Sequence, residues 1–316
     1  MGKRKRKLFT GNKPIGEKPV KSRRVARKIT STFHNIQNEL AQIKSKASSG
    51  DRGQVSTRAE KDRIAELEMQ MKRNGGVDRY QQASVLSTFH FRTSRWVIRS
   101  LDQMGHLRRG KHSEKLNVLE VGAINTQMHS CSFMNVKSID LHSQHPLIEE
   151  VDFFDIQPCS LYDAVVCSMV INCVPSPIRR SEMLARLSVH LKLDGVLFLV
   201  LPKRCLNSIF IGGVGVFLDI LNAVGLEEVE DEKLERRESL KLAYFVLRRK
   251  KSSLRWINGE ERRASYEEVL AEATRQLKTK LGYEKFIVSA NTGGETSSNE
   301  SMMSSVSEFS ILFPEI

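Results

Sequence analysis

The chain has no Cys-x-x-Cys pair, and its five cysteines, Cys131, Cys159, Cys167, Cys173 and Cys205, are odd in number. That excludes a disulfide framework or a zinc knuckle and reads as the reduced thiols of an intracellular chain. His142 and His145 are completed by no cysteine or carboxylate pattern, so they read as loop histidines and no metal is expected. The longest apolar run, 209–226, is broken by Asp219, Asn222 and four glycines. A membrane span needs about 20 consecutive, predominantly apolar residues, so none is expected. The N-terminus lacks the apolar core of a secretory signal, because charge continues through Lys28. Residues 291–316 contain no Lys or Arg at all.

What is abundant is positive charge. Against 37 Asp+Glu stand 50 Lys+Arg, a net +13, and residues 1–30 hold twelve of these cations against one acid, Glu17. A surplus placed this way points to a polyanionic partner. The cluster Lys3-Arg4-Lys5-Arg6-Lys7 reads as a nuclear address or a phosphate-binding arm, with a solvated tail as the plainer alternative.

Five segments follow from the texture of the chain. Residues 1–28 read as a basic disordered arm. Residues 29–112 read as a helical extension: Ile29, Phe33, Ile36, Leu40 and Ile43 recur at spacings of four and three, on one helix face. Ile64, Leu67 and Met71 predict a second helix, stopped by Asn74-Gly75-Gly76. Val85, Phe89, Trp96, Val97, Leu101 and Met104 are core candidates of further helices. Over 113–250 short apolar runs (116–121, 136–139, 162–169, 196–201 and 242–247) alternate with helical stretches at 178–193 and 214–224, as in an open α/β sheet with right-handed crossovers. The runs at 226–229 and 242–247 leave no room for a crossover helix, so the sheet is expected to end in an antiparallel pair. Residues 251–289 read as a C-terminal helical extension with a helix from Tyr266 to Leu281. Residues 290–316 read as a disordered, acidic, Ser-rich tail.

Chemistry gathers at the predicted carboxyl ends of strands, where open α/β sheets bind ligands. In Val118-Leu-Glu-Val-Gly122-Ala-Ile-Asn125 an apolar strand ends in an acid and then Gly122, which lets backbone approach a ligand without a Cβ. About twenty residues on, Asp140 closes a second strand, where a carboxylate can accept the hydroxyls of an adenosyl ribose. Asp152-Phe-Phe-Asp155 follows, with Asp155 the candidate for an adenine amino group. Each acid alone also fits a surface charge. Asn172 follows the fourth strand and either accepts a hydrogen bond from a substrate amine or caps its own loop. Gly195 is read as the positive-φ residue that ends a helix.

The order strand-E-x-G, strand-D, D-x-x-D, Y-D-x-V-x-x-S and L-K-x-D-G-x-L-F-L-V-L-P resembles class I S-adenosylmethionine-dependent methyltransferases. The finer resemblance is to fungal enzymes that methylate N1 of an adenine in large-subunit (25S) ribosomal RNA. It is carried by Tyr80-Gln81-Gln82-Ala83-Ser84, Leu119-Glu-Val-Gly-Ala-Ile-Asn-Thr-Gln127, Ile139-Asp-Leu-His-Ser143, Val170-Ile-Asn-Cys-Val-Pro175, Leu201-Pro-Lys-Arg-Cys205 and Asn207-Ser208, over roughly residues 78–250. The resemblance implies a Rossmann-like sheet, mostly parallel with an antiparallel terminal strand, S-adenosyl-L-methionine as cofactor at Gly122 and Asp140, ribosomal RNA as partner, and a nuclear, nucleolar location. No N/D-P-P-Y tetrapeptide holds the target amine, which leaves Asn172 as the candidate catalytic position. Two competing readings are a non-catalytic S-adenosylmethionine sensor, a role known among animal relatives of the domain, and a nicotinamide-dependent dehydrogenase. Against the second stand the lone glycine at Gly122 and the expected antiparallel strand.

Overall fold

A computed structural model describes residues 20, 22–49, 57–88, 93–107, 114–143, 145–159, 161–208, 210–232, 234, 237, 239–250, 254–257, 260–279, 282–288 and 309–315. Three helices come first: α1 (Arg23–Ser49), α2 (Arg58–Arg73) and α3 (Gly76–Thr88). The apolar seam of α1 is as expected, with Phe33 and Ile36 buried and Ile29, Leu40 and Ile43 half-buried. The helix nevertheless starts at Arg23, inside the segment read as arm, because Ala26 extends the seam one turn back and is wholly buried. The rest of the expected arm lies almost entirely outside the described residues. At the start of α2 a capping box satisfies two otherwise orphaned N–H groups: Thr57 Oγ1 accepts from Glu60 N (3.3 Å) and Glu60 Oε2 accepts from Thr57 N (2.9 Å).

The sheet comprises β1 (Leu116–Val121), β2 (Met134–Asp140), β3 (Ile148–Glu150), β4 (Tyr162–Ser168), β5 (Leu191–Pro202), β6 (Leu226–Glu228) and β7 (Leu242–Arg249), in the order β3-β2-β1-β4-β5-β7-β6. Every pair is parallel except those made by β7, which runs antiparallel between β5 and β6. The expected antiparallel ending is present. It is this strand order that distinguishes the sheet from a purely parallel dinucleotide fold.

Helices are distributed unevenly over the two faces. One face carries α5 (Pro177–His190), α7 (Val214–Ala223) and α8 (Tyr266–Thr279), packed on Leu119, Val165, Leu197, Leu199 and Phe245. On the other, β1 to β2 is crossed by residues 122–133, whose helical content is one 3-10 turn, Met128–Ser130, and β2 to β3 by 141–147. The helix α4 (Thr93–Gln103) covers that face from outside the strand succession. Trp96, Val97 and Leu101 pack with Val118, Ala164 and Phe198, the Trp96 ring edge-on to Phe198 and Tyr244 at 5.3 and 5.0 Å. Val85 and Phe89 lie outside the described side chains.

Three further expectations change. The left-handed residue before the run of β5 is Asp194 (φ 58), while Gly195 answers a different need: a Cβ there would lie 2.8 Å from Lys192 O and 3.1 Å from Tyr162 O. The C-terminal extension is not all helix, since β8 (Leu254–Ile257) and β9 (Glu260–Arg263) form an antiparallel ribbon before α8. A one-turn helix, α6 (Lys203–Leu206), follows β5. Finally, part of the expected disordered tail is core. Phe309, Ile311, Leu312 and Phe313 are buried, and β11 (Phe313–Pro314) pairs in parallel with β10 (Ile287–Val288). Ser-rich composition over 290–316 masks these four apolar residues, of which Phe309, Ile311 and Phe313 join the core beneath α5 and α8. Among the described residues no helix is long and apolar enough to cross a membrane.

Candidate functional site

The carboxyl ends of β1, β2 and β4 meet at one place, and each contributes one of the residues singled out above. At the end of β1 the chain turns at Gly122 (φ 73), and the N–H groups of Gly122 and Ala123 both donate to Ile139 O at 2.9 Å. This fork fixes Asp140 beside the turn. A Cβ on Gly122 would lie 2.3 Å from Val170 Cγ2, so glycine is required both for its left-handed conformation and for space.

Asp140 is partly buried at the end of β2. Its Oδ1 accepts from His142 N at 2.9 Å, and its carbonyl accepts from Val151 N at 3.0 Å. Burial raises its carboxyl pKa, opposed by the His142 N–H. The neighbouring Glu120 is more strongly affected. Burial lifts it to about 7 against a hydrogen bond from Ser138 Oγ (2.9 Å), and the same hydroxyl lies 2.9 Å from His129 Nε2.

Beyond β4 the backbone is strained. Met169 holds φ 64 although it carries a side chain, a conformation that costs on the order of 1–3 kcal/mol. Its N–H is anchored to Val200 O at 2.8 Å. The reversal brings Val170 against Gly122 and starts the single 3-10 turn Ile171–Cys173 that presents Asn172. Asn172 Nδ2 donates to Cys173 Sγ at 3.2 Å, whereas Oδ1 is buried and among the described residues meets no donor. An unmatched buried acceptor is uncommon and costs on the order of 1–3 kcal/mol unless something supplies the proton donor.

The N-terminal helices lie across this edge. Phe33 of α1 and Tyr80 of α3 stack at 4.2 Å with the His34 ring edge-on to Tyr80. Tyr80 Oη is 3.3 Å from His34 Nε2, which is 3.6 Å from Cys173 Sγ, and Gln81 Nε2 donates to His142 O. From α4, Thr93 Oγ1 lies 3.5 Å from Ser168 Oγ, and Ser94 Oγ donates to Gln127 Oε1 at 2.8 Å. Burial pushes both Tyr80 and Cys173 up to about 12 and, with nearby Arg204, lowers His34. The cluster is therefore neutral at pH 7 and offers no thiolate nucleophile.

Asp155 does not join this group. It is exposed at the end of the 3-10 turn Phe153–Asp155 and lines a separate cleft of about 510 Å³ with Phe154, Arg179, Glu182, Arg186 and Tyr266. Within the same tetrapeptide it is Asp152 that stays near β3, its Oδ1 accepting from Phe154 N. His145 is engaged in its own loop, Nδ1 accepting from Leu147 N at 3.1 Å. In the sequence Tyr80 and Gln81 stand only among the residues that carry the family resemblance, and nothing local marks His34 or Met169. Periodicity places His34 and Tyr80 on helices, but only the packing of α1 on α3 aims them at the sheet.

Residues 65–278 match the family model described as Bmt2, 25S rRNA (adenine(2142)-N(1))-methyltransferase. Among curated relatives, the 25S rRNA adenine-N(1) methyltransferase of Schizosaccharomyces pombe is 27% identical over 195 residues, covering 57% of this chain and 67% of the relative. The 25S rRNA (adenine(2142)-N(1))-methyltransferase of Saccharomyces cerevisiae is 29% identical over 116 residues, 34% of each chain. Among solved structures, an S-adenosylmethionine-dependent methyltransferase from Clostridium acetobutylicum aligns with TM-score 0.42 and 12% identity, over 54% of this chain and 99% of that one. The N-methyltransferase NodS from Bradyrhizobium japonicum, in complex with S-adenosyl-L-homocysteine, aligns with TM-score 0.35 and 16% identity, over 50% and 85%.

Proposed function

The chain belongs to the Bmt2 family, 25S rRNA (adenine(2142)-N(1))-methyltransferase, and from that premise we propose that it transfers a methyl group from S-adenosylmethionine to N1 of an adenine in large-subunit ribosomal RNA, at the edge formed by Gly122, Asp140 and Asn172. The observation that carries this reading is the unmatched Oδ1 of Asn172, two residues beyond Val170, which the strained turn at Met169 packs against Gly122. The residues fit the cofactor: the left-handed Gly122 turns the chain at the end of β1 with no side chain of its own, and the second oxygen of the Asp140 carboxylate suits a ribose diol. When bound, the cofactor supplies a methyl group already activated on a sulfonium.

What the protein must add is placement. Asn172 Oδ1 accepts from the exocyclic amine of the target base and so sets N1 toward the methyl. The lone pair of N1 is free once the base leaves its pair, so no general base is required. The neutral state of His34, Tyr80 and Cys173 agrees with that economy, and a neutral, aromatic surround suits a base that becomes cationic on methylation. Arg24, Arg27 and Lys28 are exposed on the first turns of α1. They belong to the basic run of residues 1–30, and we assign that run to the RNA backbone in a nucleolar protein.

The test is incubation of the full chain with labelled cofactor and unmodified large-subunit RNA, followed by mapping of the labelled nucleotide. Label at an adenine N1 is expected. Cofactor binding without transfer to any RNA would return the chain to the role of a sensor.

A further inference from the structure

Arg180, on the first turns of α5, is 7% exposed, and its guanidinium is satisfied by backbone carbonyls. Nε donates to Val174 O at 2.8 Å, Nη2 to Pro175 O at 3.3 Å and Nη1 to Ser310 O at 2.7 Å. The Phe309 ring lies 4.6 Å from its Cζ. Burying a charge on neutral acceptors is unfavourable in itself. A planar fork with donors in fixed directions, however, can set several carbonyls at once.

Two of those carbonyls belong to the residues that follow Asn172 in the turn beyond β4. The side chain of Asn172 is held by Nδ2 on the adjacent Cys173 Sγ, in the same turn, while its Oδ1 is unmatched, so its position follows the backbone of that turn on either side. Upstream the turn is pinned by Met169 N to Val200 O; downstream it is pinned by Arg180. The third carbonyl comes from the C-terminal segment, which is itself sewn down. Ser181 Oγ donates to Leu312 O at 2.7 Å, Leu312 N to Pro177 O at 3.2 Å and Ser208 Oγ to Phe309 O at 2.6 Å.

We propose that Arg180, locked by the C-terminal segment Phe309–Phe313, is a positioning residue for methyl transfer: it fixes the Val174–Pro175 turn and through it the placement of Asn172. The inference rests on the reading of Asn172 as the residue that meets the substrate base. It makes the last residues of the chain part of the substrate side of the site, although they are far from it in sequence and touch no reacting atom.

Arg180→Lys keeps the charge but replaces the fork by a point donor. In the full chain, single-turnover transfer to unmodified large-subunit RNA, at saturating cofactor and RNA and normalised to folded protein, is expected to fall roughly 10- to 100-fold. Cofactor and RNA affinities should stay within about twofold. Asn172→Ala should then cost much less in the Arg180→Lys background than in the wild type, because the two residues act on one placement. Phe309→Ala, which loosens the lock from the other side, should lower transfer in the same way by a smaller factor. If Arg180→Lys does not fold, the rate of Phe309→Ala decides alone. Wild-type rates in the folded variants, or equal fractional losses from Asn172→Ala in both backgrounds, overturn the proposal. Absence of transfer by the wild type overturns the enzyme reading and this inference together, whereas normal transfer by Arg180→Lys overturns this inference alone.

Discussion

The two ends of the chain meet the sheet in opposite ways. Helices α1 to α3 bury their apolar residues chiefly in each other, through Phe33, Ile36, Leu67 and Ala83, and reach the sheet through polar tips: His34 beside Cys173 and Gln81 on His142 O. The C-terminal segment does the reverse. Phe309, Ile311 and Phe313 enter the same core as Leu199 and Phe217, and its backbone is bonded to α5, α8 and the 208–211 turn. Among the described residues, the buried apolar side chains of α1 to α3 therefore stand outside the two clusters that pack on the sheet. The C-terminal segment cannot leave without opening the interior.

The largest expected effect tests the second half of that contrast. Phe313→Ala empties a wholly buried site and should cost about 3–5 kcal/mol of unfolding free energy, measured by urea denaturation, with cofactor affinity of the folded fraction unchanged. A loss under about 1 kcal/mol would mean the segment is only laid on the surface.

Between the two ends lies the sheet edge, and Glu120 reports on it through pH. Its pKa is raised from 4.5 to about 7, so folding takes up a proton between those values. Its contribution is fully present below about pH 4.5 and is lost as pH rises through 7, up to about 3 kcal/mol at 1.36 kcal/mol per pH unit. Glu120→Gln should flatten that part of the stability profile while leaving the profile of the N-terminal contacts alone. A profile identical to wild type would show that the carboxyl is already ionised in the folded protein.

Asp140 is the next step down. Asp140→Ala should weaken S-adenosylmethionine binding by about 2–3 kcal/mol, the scale of a charge-assisted hydrogen bond, with little change in melting temperature. Calorimetry giving wild-type affinity would move the cofactor elsewhere. The smallest structural effect is expected at the cover: Gln81→Ala should lower stability by under about 1 kcal/mol, yet reduce single-turnover transfer. If stability falls and transfer does not, the N-terminal layer is scaffold and the contrast between the two ends disappears.

Much of the sheet was legible because β4, β5 and β7 hold apolar runs buried on both faces, separated by turns with local chemistry. The place of the candidate site residues in the fold was legible in the same proportion. Gly122 and Asp140 stand where strand ends put them, and strand ends can be read from a run of apolar residues followed by an acid or a glycine. Two acids three residues apart look alike in sequence, while a single 3-10 turn puts Asp155 on the cleft beside Arg179 and Arg186 and leaves Asp152 Oδ1 on Phe154 N. The strain at Met169 has no signal, since nothing in the residue type asks for φ 64. The tail misled because composition is an average, and four apolar residues vanish in a Ser-rich window.

The sequence by itself determined the order of strand ends at Gly122 and Asp140, the short link that makes the ending antiparallel, and the family to which the chain belongs. The first two are local, set by residues within one element or the link that follows it. Only the tertiary structure decided that α1 and α3 cover the carboxyl edge, that α4 takes the place of the missing crossover helices, and that the last residues of the chain close on Arg180. Those are contacts between elements far apart in sequence, made where apolar surface is left to bury and buried carbonyls are left to satisfy, and no periodicity within a single element encodes them.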